Sequence, residues 1–332
     1  MSQSKATIIT VNWNNSTHLY HCLNNLTSQS LSDLNIVLLD NGSIHRLADT
    51  LIKQYPTLKL ITKQLNTNLG FAAANNIGAR MAKGKWLALL NADAFPEPDW
   101  LENLVKAAEE NPEYSFFSSR QIQANNPEYL DGAGDTYHIS GLAWRNGYNH
   151  PTATYGLEQK EVFSACAAAA MIKKDVFLEM GGFDEDFFSY FEDVDLGFRL
   201  RLQGKKCLYV PEAVVHHVGS ASTGKRSDFS VYYGYRNMIW TFFKNMPSPL
   251  FGLLLPVHIA TLVFFILYLS LRGQGKVILR AVFDAIKGIP DVLKKRKEIQ
   301  RNIKIKPFEL LSFMSTGLFE PYREFMRRNR AK

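Results

Sequence analysis

The 332 residues predict an α/β protein on an open, mostly parallel sheet, followed by an apolar and then basic C-terminal region. Three observations lead there. Short apolar runs alternate with helical patterns through the first hundred residues. Polar residues gather where those runs end. The excess positive charge sits wholly in the tail.

The elements follow in order. ATIITVNW (6–13) reads as a strand, and Ser16 to Gln29 as a helix with Leu19, Leu23 and Leu26 on one face. NIVLLD (35–40) is a strand that Asn41-Gly42-Ser43 turns. A helix near 46–54, the strand LKLITK, a small-residue helix from Gly70 to Lys83 and the strand KWLALL complete the series. Strand–helix alternation of this kind implies parallel neighbours joined by right-handed crossovers. Between 111 and 165 periodicity fades, and LDGAGDTYHISGLAWRNGYN reads as loop and hairpin. VFSACAAAAMIKK (162–174) is expected to be a buried strand. A helix should then start near Ser189–Asp193, stop at Gly204 and lead into a short strand. The first domain is expected to close near 235, dividing the chain into 1–235 and 236–332.

Hydrophobic residues make up 46% of the chain, which excludes wholesale disorder. Cys22, Cys166 and Cys207 are scattered and odd in number, predicting a reducing compartment without a disulfide framework. The N-terminus has no apolar stretch of signal-peptide length, so no secretion signal is expected. From Arg272 to Lys332 there are 16 Lys/Arg and 6 Asp/Glu, a net of +10; the remainder carries 22 and 25, a net of −3. Nucleic acid would want a basic folded domain, so it is excluded as a partner, and an anionic membrane surface is favoured.

Four strand ends collect polar side chains: Asn12 and Asn14, Asp40, Asn66 and Asn68, and Asn91 and Asp93. In open α/β sheets, ligands bind beyond the carboxyl ends of strands. Alternation puts Asn91 and Asp93 on one side of an extended chain, as two convergent oxygen ligands. In NTNLGFAAANNIGAR, a helix starting at Gly70 offers N–H groups and a positive dipole end to a diphosphate, with Gly70, Phe71, Asn75 and Arg80 as candidate donor-binding residues. The alanines there suit close helix–sheet packing. Neither GxxxxGK[ST] nor GxGxxG occurs, which disfavours an ATPase or a dinucleotide oxidoreductase. Glu192, Asp193 and Asp195 fall in the first turn of a helix amid FFSYF, whose aromatic surround would raise a carboxylate pKa toward that of a general base. His216 and His217 follow an apolar strand, and a histidine with Asp93 suits Mn²⁺ or Mg²⁺.

The ordered segments VNWNN, LLDNGS, NTNLGFAAANN, LLNAD, GGFDEDFFSYFEDVDL and PEAVVHHVGSAS resemble a family 2 glycosyltransferase, in the rhamnosyltransferase-like branch of bacterial surface-polysaccharide synthesis. The likeness spans about 6–225. It implies a GT-A fold, Rossmann-like and nucleotide-sugar-binding, with a divalent metal and inversion at the anomeric carbon. Asn91-Ala92-Asp93 stands where the family has its Asp-x-Asp metal motif, Asn91 being a departure that removes a charge. Asp93 and His217 would hold the metal, Asp40 and Asn12 the nucleoside, and Asp193 of the Glu192-Asp193 pair would be the base. The donor implied is dTDP-rhamnose, with UDP-hexoses or UDP-N-acetylhexosamines as alternatives; a non-catalytic sugar-nucleotide-binding scaffold is the other reading, disfavoured by intact Asp93, Asp193 and His217.

The uncharged stretch 250–271 is long enough to span a bilayer, but Pro256 and His258 interrupt it. A single span would also carry the basic tail outward, against the positive-inside tendency. A kinked, re-entrant or interfacial helix is expected, followed by a second apolar face at Phe308, Leu311, Met314, Leu318, Phe325 and Met326. The predicted location is the cytoplasmic face of the bacterial inner membrane, with a polyprenyl-diphosphate-linked saccharide as acceptor.

Overall fold

A computed structural model describes residues 4–45, 48–219, 224 and 226–330. Arg46 and Leu47 of the second expected helix, Ser220–Ser222 of the HHVGSAS segment, and Ala331–Lys332 lie outside the described residues. The N-terminal half alternates as expected: β1 (Ala6–Asn12), α1 (Ser16–Leu26), β2 (Leu34–Asp40), α2 (Ala48–Gln54), β3 (Leu60–Gln64), α3 (Gly70–Met81) and β4 (Trp86–Leu90). These strands pair in parallel in the order β4-β1-β2-β3.

Next come β5 (Ala94–Pro96), α4 (Trp100–Glu110), β6 (Tyr114–Gln123), β7 (Leu130–Ala133), β8 (Asp135–Tyr137), β9 (Ala143–Arg145), β10 (Lys160–Val162), β11 (Ala169–Lys173), α5 (Lys174–Glu179), α6 (Glu192–Leu202) and β12 (Lys206–His217). Here the expectation of a mostly parallel sheet is corrected. β11 lies antiparallel between β4 and β6, and β5, β7 and β10 also pair antiparallel. A strand entered without a helical crossover is free to run the other way. Only Ala169–Lys173 of the apolar run 162–174 lies in β11, and the short strand expected after Gly204 is a 12-residue β12. The 131–150 segment does form a hairpin, β8–β9.

Period-two alternation builds the two faces of the sheet. Ile8, Ile36, Leu38 and Ala88 pack on α1 and α4 through Leu19, Leu23, Trp100 and Leu104. Ile9, Val37, Leu39, Leu87 and Leu89 face α3, α5 and α6. Small residues let α3 approach: a Cβ on Gly78 would lie 2.5 Å from Ile9 Cγ2. Burying a fully apolar strand on both sides contributes roughly 25 cal/mol per Å² removed from water.

The C-terminal region is α7 (Asp228–Asn245), α8 (Ser248–Leu271), α9 (Gly275–Arg301), a 3₁₀ segment Pro307–Phe313 and α10 (Glu320–Arg330). Residue 235, the expected boundary, falls inside α7. Just beyond it, Lys244 and Asn245 bond the N-terminal half: Asp195 Oδ1 lies 2.7 Å from Lys244 Nζ and 2.8 Å from Asn245 Nδ2, while its Oδ2 accepts from Arg199 Nε at 2.9 Å. Lys244 also pairs with Asp184 at 2.6 Å, and that carboxylate takes Lys295 of α9 at 2.5 Å.

α8 is the one helix among the described residues long and apolar enough to cross a membrane, with a mean hydropathy of 2.5 and only 17% of that window buried. His258, which interrupts the apolar run in sequence, points inward. Its ring stacks on Phe242 at 4.2 Å and its Nδ1 lies 2.8 Å from the Ser140 carbonyl. Leu253, Val263, Leu267 and Leu271 are exposed, as are Phe283 and Ile286 of α9. Of the expected second face, Phe308 and Leu318 are exposed, but Met314 is buried in a core cluster and Phe325 packs on Phe265 and Tyr268; the exposed apolar surface instead includes α9.

Removing one member of a buried ion network leaves the others desolvated and uncompensated. Asp195→Ala should accordingly cost about 3–5 kcal/mol of unfolding free energy, read as a lowered midpoint in urea denaturation.

Candidate active site

A cleft of about 350 Å³ opens where β1, β2 and β4 end and α6 begins, and its wall includes Asn91, Asp93, Glu192, Asp193, His217, Gly70 and Phe71. β12 brings His217 there: its last residues pair antiparallel with β5, His217 opposite Ala94, and the Val218 N–H donates to the Asp93 carbonyl at 3.0 Å. His217 Nε2 lies 3.5 Å from Asp93 Oδ1, while Nδ1 is 2.7 Å from Asp131 Oδ2. Burial opposes a charge on this ring, but the Asp131 and Asp93 carboxylates outweigh it and raise its pKa to about 9. Asp131, also ion-paired with Arg145, was not evident in sequence; both residues come from the irregular 131–150 segment. His216 points elsewhere, to Glu97 at 2.9 Å.

The two acids of α6 sit differently. Glu192 is buried, with Oε2 unpartnered, and burial followed by the neighbouring Asp193 and Asp195 charges pushes its pKa well above the carboxylate range. Burial raises Asp193 too, but backbone N–H groups oppose the rise: Ala167 donates to Oδ2 at 2.9 Å and Val194 to Oδ1 at 2.8 Å. Donors to the charged form make Asp193 the member that ionises more readily. The turn before α6 holds Phe188, Tyr190 and Phe191 at φ of 64°, 68° and 68°, in the left-handed region that side chains avoid. Asn237 of α7 over-determines that shape, its amide nitrogen lying 2.9, 3.0 and 2.7 Å from the carbonyls of Phe187, Ser189 and Tyr190.

Other predicted residues are placed away from the cleft. Arg80 is exposed in the last turn of α3; at 1.5 Å per residue it lies roughly 15 Å from the helix start and cannot meet a ligand there. Asn75 bonds the Phe71 carbonyl within the same helix at 2.9 Å. Asn66 is exposed, whereas Asn68 lines the cleft and accepts from Gly70 N–H at 2.8 Å and Asn41 Nδ2 at 2.9 Å. The N–H groups of Gly70 and Ala72 are thus committed, the second to the Phe188 carbonyl at 3.2 Å, leaving α3 its dipole but not those donors. A Cβ on Gly70, at φ +85°, would lie 2.5 Å from that carbonyl oxygen, so only glycine fits. Asn14 ties the turn after β2, accepting from Ile44 N–H at 2.9 Å.

Asn12 and Asp40 pair across β1 and β2 and follow the parity of Leu38, toward Leu19 and Leu51; Val11, Trp13 and Asn41 face the cleft instead. Ser43 bridges the pair, its Oγ 3.3 Å from Asn12 Nδ2 and its N–H 3.0 Å from Asp40 Oδ1. Asn12 Oδ1 and Asp40 Oδ2 are buried and take no hydrogen bond among the described residues.

No group of three His, Cys, Asp or Glu side chains forms a metal cluster among the described residues. Asp93 and His217 nevertheless suit a cation whose remaining ligands come from substrate. Their oxygen and nitrogen converge, and Asp131 holds the imidazole by its other nitrogen, as carboxylates do behind metal-bound histidines.

Residues 7–181 match Glycosyl transferase family 2. The chain belongs to that family. Over 243 residues it is 28% identical to the N-acetylglucosaminyl-diphospho-decaprenol L-rhamnosyltransferase of Mycobacterium tuberculosis, covering 66% of this chain and 77% of that protein. It is also 28% identical over 200 residues to the O-antigen biosynthesis protein RfbC of Myxococcus xanthus, covering 58% of this chain and 15% of that one. Among solved structures, GalNAc-T7 with UDP, GalNAc and Mn²⁺ superposes with a TM-score of 0.59 at 17% identity over 73% of this chain and 48% of its own. TarS of S. aureus follows at 0.52 and 14%, over 77% and 43%. The alignments span less than half of those two solved chains, and at these identities they establish the GT-A-like fold alone. This family 2 chain is a glycosyltransferase, and its cleft lies at the strand ends where such folds bind ligands.

The raised pKa of His217 sets a pH dependence. Its folded value of about 9 exceeds the ordinary 6.5, so its proton stabilises the metal-free protein fully below pH 6.5. That contribution is lost as pH rises through 9. Melting temperatures of wild type should therefore fall more than those of His217→Gln between pH 6.5 and 9.5; parallel curves would leave His217 without this role.

Proposed function

We propose that this chain is an inverting transferase that moves a sugar, L-rhamnose from dTDP-rhamnose, onto a saccharide carried by a polyprenyl diphosphate at a membrane surface. The meeting of Asp193 with Asp93 and His217 in one cleft carries this reading, and the name of the mycobacterial relative supports the sugar and the kind of acceptor. Asp193 accepts the proton of an acceptor hydroxyl, whose oxygen attacks the anomeric carbon from the face opposite the diphosphate. The new glycosidic bond forms as the bond to the diphosphate oxygen breaks, and the nucleoside diphosphate leaves with that electron pair. Burial and the neighbouring Asp193 charge favour the neutral form of Glu192 beside the base.

Mn²⁺ or Mg²⁺ held by Asp93 and His217 would supply positive charge to the leaving diphosphate. Asn91 and Gly70–Phe71 border that space, and Arg145 places a guanidinium in its wall, the part first assigned to Arg80. Trp13 offers a ring to the nucleobase on the cleft side, while Asn12 and Asp40, expected at the nucleoside, lie behind it and support the turn through Ser43. The catalytic unit extends through α7 to about residue 247, and the later helices form a membrane-docking region lying in the interface at the cytoplasmic face.

Asp193→Asn should lower transfer by about a hundredfold or more, the scale of a lost general base, while nucleotide binding persists. Asp93→Ala should instead weaken Mn²⁺-dependent nucleotide binding. Calorimetry on both variants, together with single-turnover assays, reads the difference, and normal turnover in the first would refute the assignment.

The exposed face of α8 and α9 leads to a further expectation. The chain should co-sediment with vesicles containing anionic lipid and stay bound in 1 M salt (about a 3 Å screening length). Leu253, Val263 and Leu267 changed together to Ser should restore release by salt; unchanged retention would argue against docking through α8.

A further inference from the structure

We propose that a groove between β9, α7, α8 and α10 seats the lipid diphosphate of the acceptor. This rests on the transferase reading above and adds the place and the recognition chemistry. The groove encloses about 480 Å³ and shares Ala143, Trp144 and Phe191 with the catalytic cleft, so the two cavities meet at one wall. Phe191 immediately precedes the Glu192-Asp193 pair, which puts this junction beside the base.

The far wall belongs to α8, through Phe265 and Leu269. That same helix turns Leu253, Val263 and Leu267 outward, so an apolar chain leaving the groove along α8 continues onto an apolar surface. Arg226 and Arg272 supply the charge. Both line the groove, beside Gln274, whose Nε2 donates to the Arg226 carbonyl at 3.1 Å and to Asp228 Oδ1 at 3.0 Å. Glu324 also lines the groove and is ion-paired with Arg327. An occupant must therefore join a sugar entering the cleft, an anion matched to two guanidiniums, and a long apolar tail. A polyprenyl-diphosphate saccharide has these three parts, and a nucleotide or a protein helix does not.

α7 makes room for it. Gly234 lines the groove, and a Cβ built there would meet nothing within 4 Å. Glycine is unfavourable inside a helix, so its placement here keeps the groove open at a cost to α7.

The test uses the full chain in detergent, with farnesyl diphosphate as probe, farnesol as its uncharged control, and UDP or dTDP with Mn²⁺ for the donor site. Farnesyl diphosphate should bind without being displaced by saturating nucleoside diphosphate. Gly234→Phe should fold with an undiminished melting temperature, keep nucleotide binding and lose at least about tenfold in probe affinity. The double variant Arg226→Gln/Arg272→Gln should lose about tenfold for farnesyl diphosphate and nothing for farnesol, the pattern of lost charge-assisted contacts. Should Gly234→Phe not fold, the double variant decides alone. Unchanged probe affinity in the variants, or displacement of the probe by nucleoside diphosphate, would overturn the groove assignment. Probe binding with these variant effects, but no nucleotide binding in wild type, would uphold the groove and refute the transferase reading instead.

Discussion

The side chain of Asn237 joins the two halves of this molecule. Buried on α7, it reaches the carbonyls of Phe187, Ser189 and Tyr190 and holds a turn that would otherwise relax. Non-glycine residues in the left-handed region cost of order 1–3 kcal/mol each and persist only where their surroundings leave no alternative. That turn aims the start of α6, and hence Asp193, into the cleft. Arg236 reinforces it from the same helix, donating to the carbonyls of Asp186 and Phe187 at 2.8 and 3.0 Å. The placement of Asp193 is therefore set by a helix that opens the C-terminal region.

The other side of the cleft depends on β12. It runs parallel to β6 and slips register between Val210 and Val214, and its final residues turn their free edge to β5. The slip leaves residues 211–213 without partners in β6 and lengthens the strand, which ends beside Asp93. The carboxylate behind His217 arrives separately, from β7, so three segments distant in sequence converge on one imidazole.

The parts legible in sequence were those written in short-range patterns. Apolar runs located β1, β2 and β4, the glycine and alanines located α3, and Asn91-x-Asp93, Glu192-Asp193 and His217 marked residues that the fold does gather. The failures have physical causes. Arg80 looked near the diphosphate because it is close in sequence to Gly70, but a helix carries it nearly three turns away. Asn66 and Asn68 were indistinguishable until the turn chose one to face inward. Asp131 and Arg145 lay in a segment without periodicity, where nothing local tells a ligand from a loop residue. Residue 235 looked like an end because the acidic, mixed character of the chain gives way there. The bonds of Asn237, Lys244 and Asn245 are long-range and leave no local trace.

The uncovered face of α8 and α9 also bears on what the stability of this protein means. Leu253, Val263, Leu267 and Phe283 remain in contact with solvent in the folded chain, so folding alone leaves part of the hydrophobic gain unrealised. Any surface that covers this face binds the native arrangement of the helices and not the unfolded chain. By mass action its concentration then enters the folding equilibrium, raising native stability by RT ln(1 + [L]/Kd). Because Asp184 and Lys295 tie α9 to the segment preceding α6, that linkage reaches the catalytic half. The melting temperature is in this sense a property of the chain and its surroundings together.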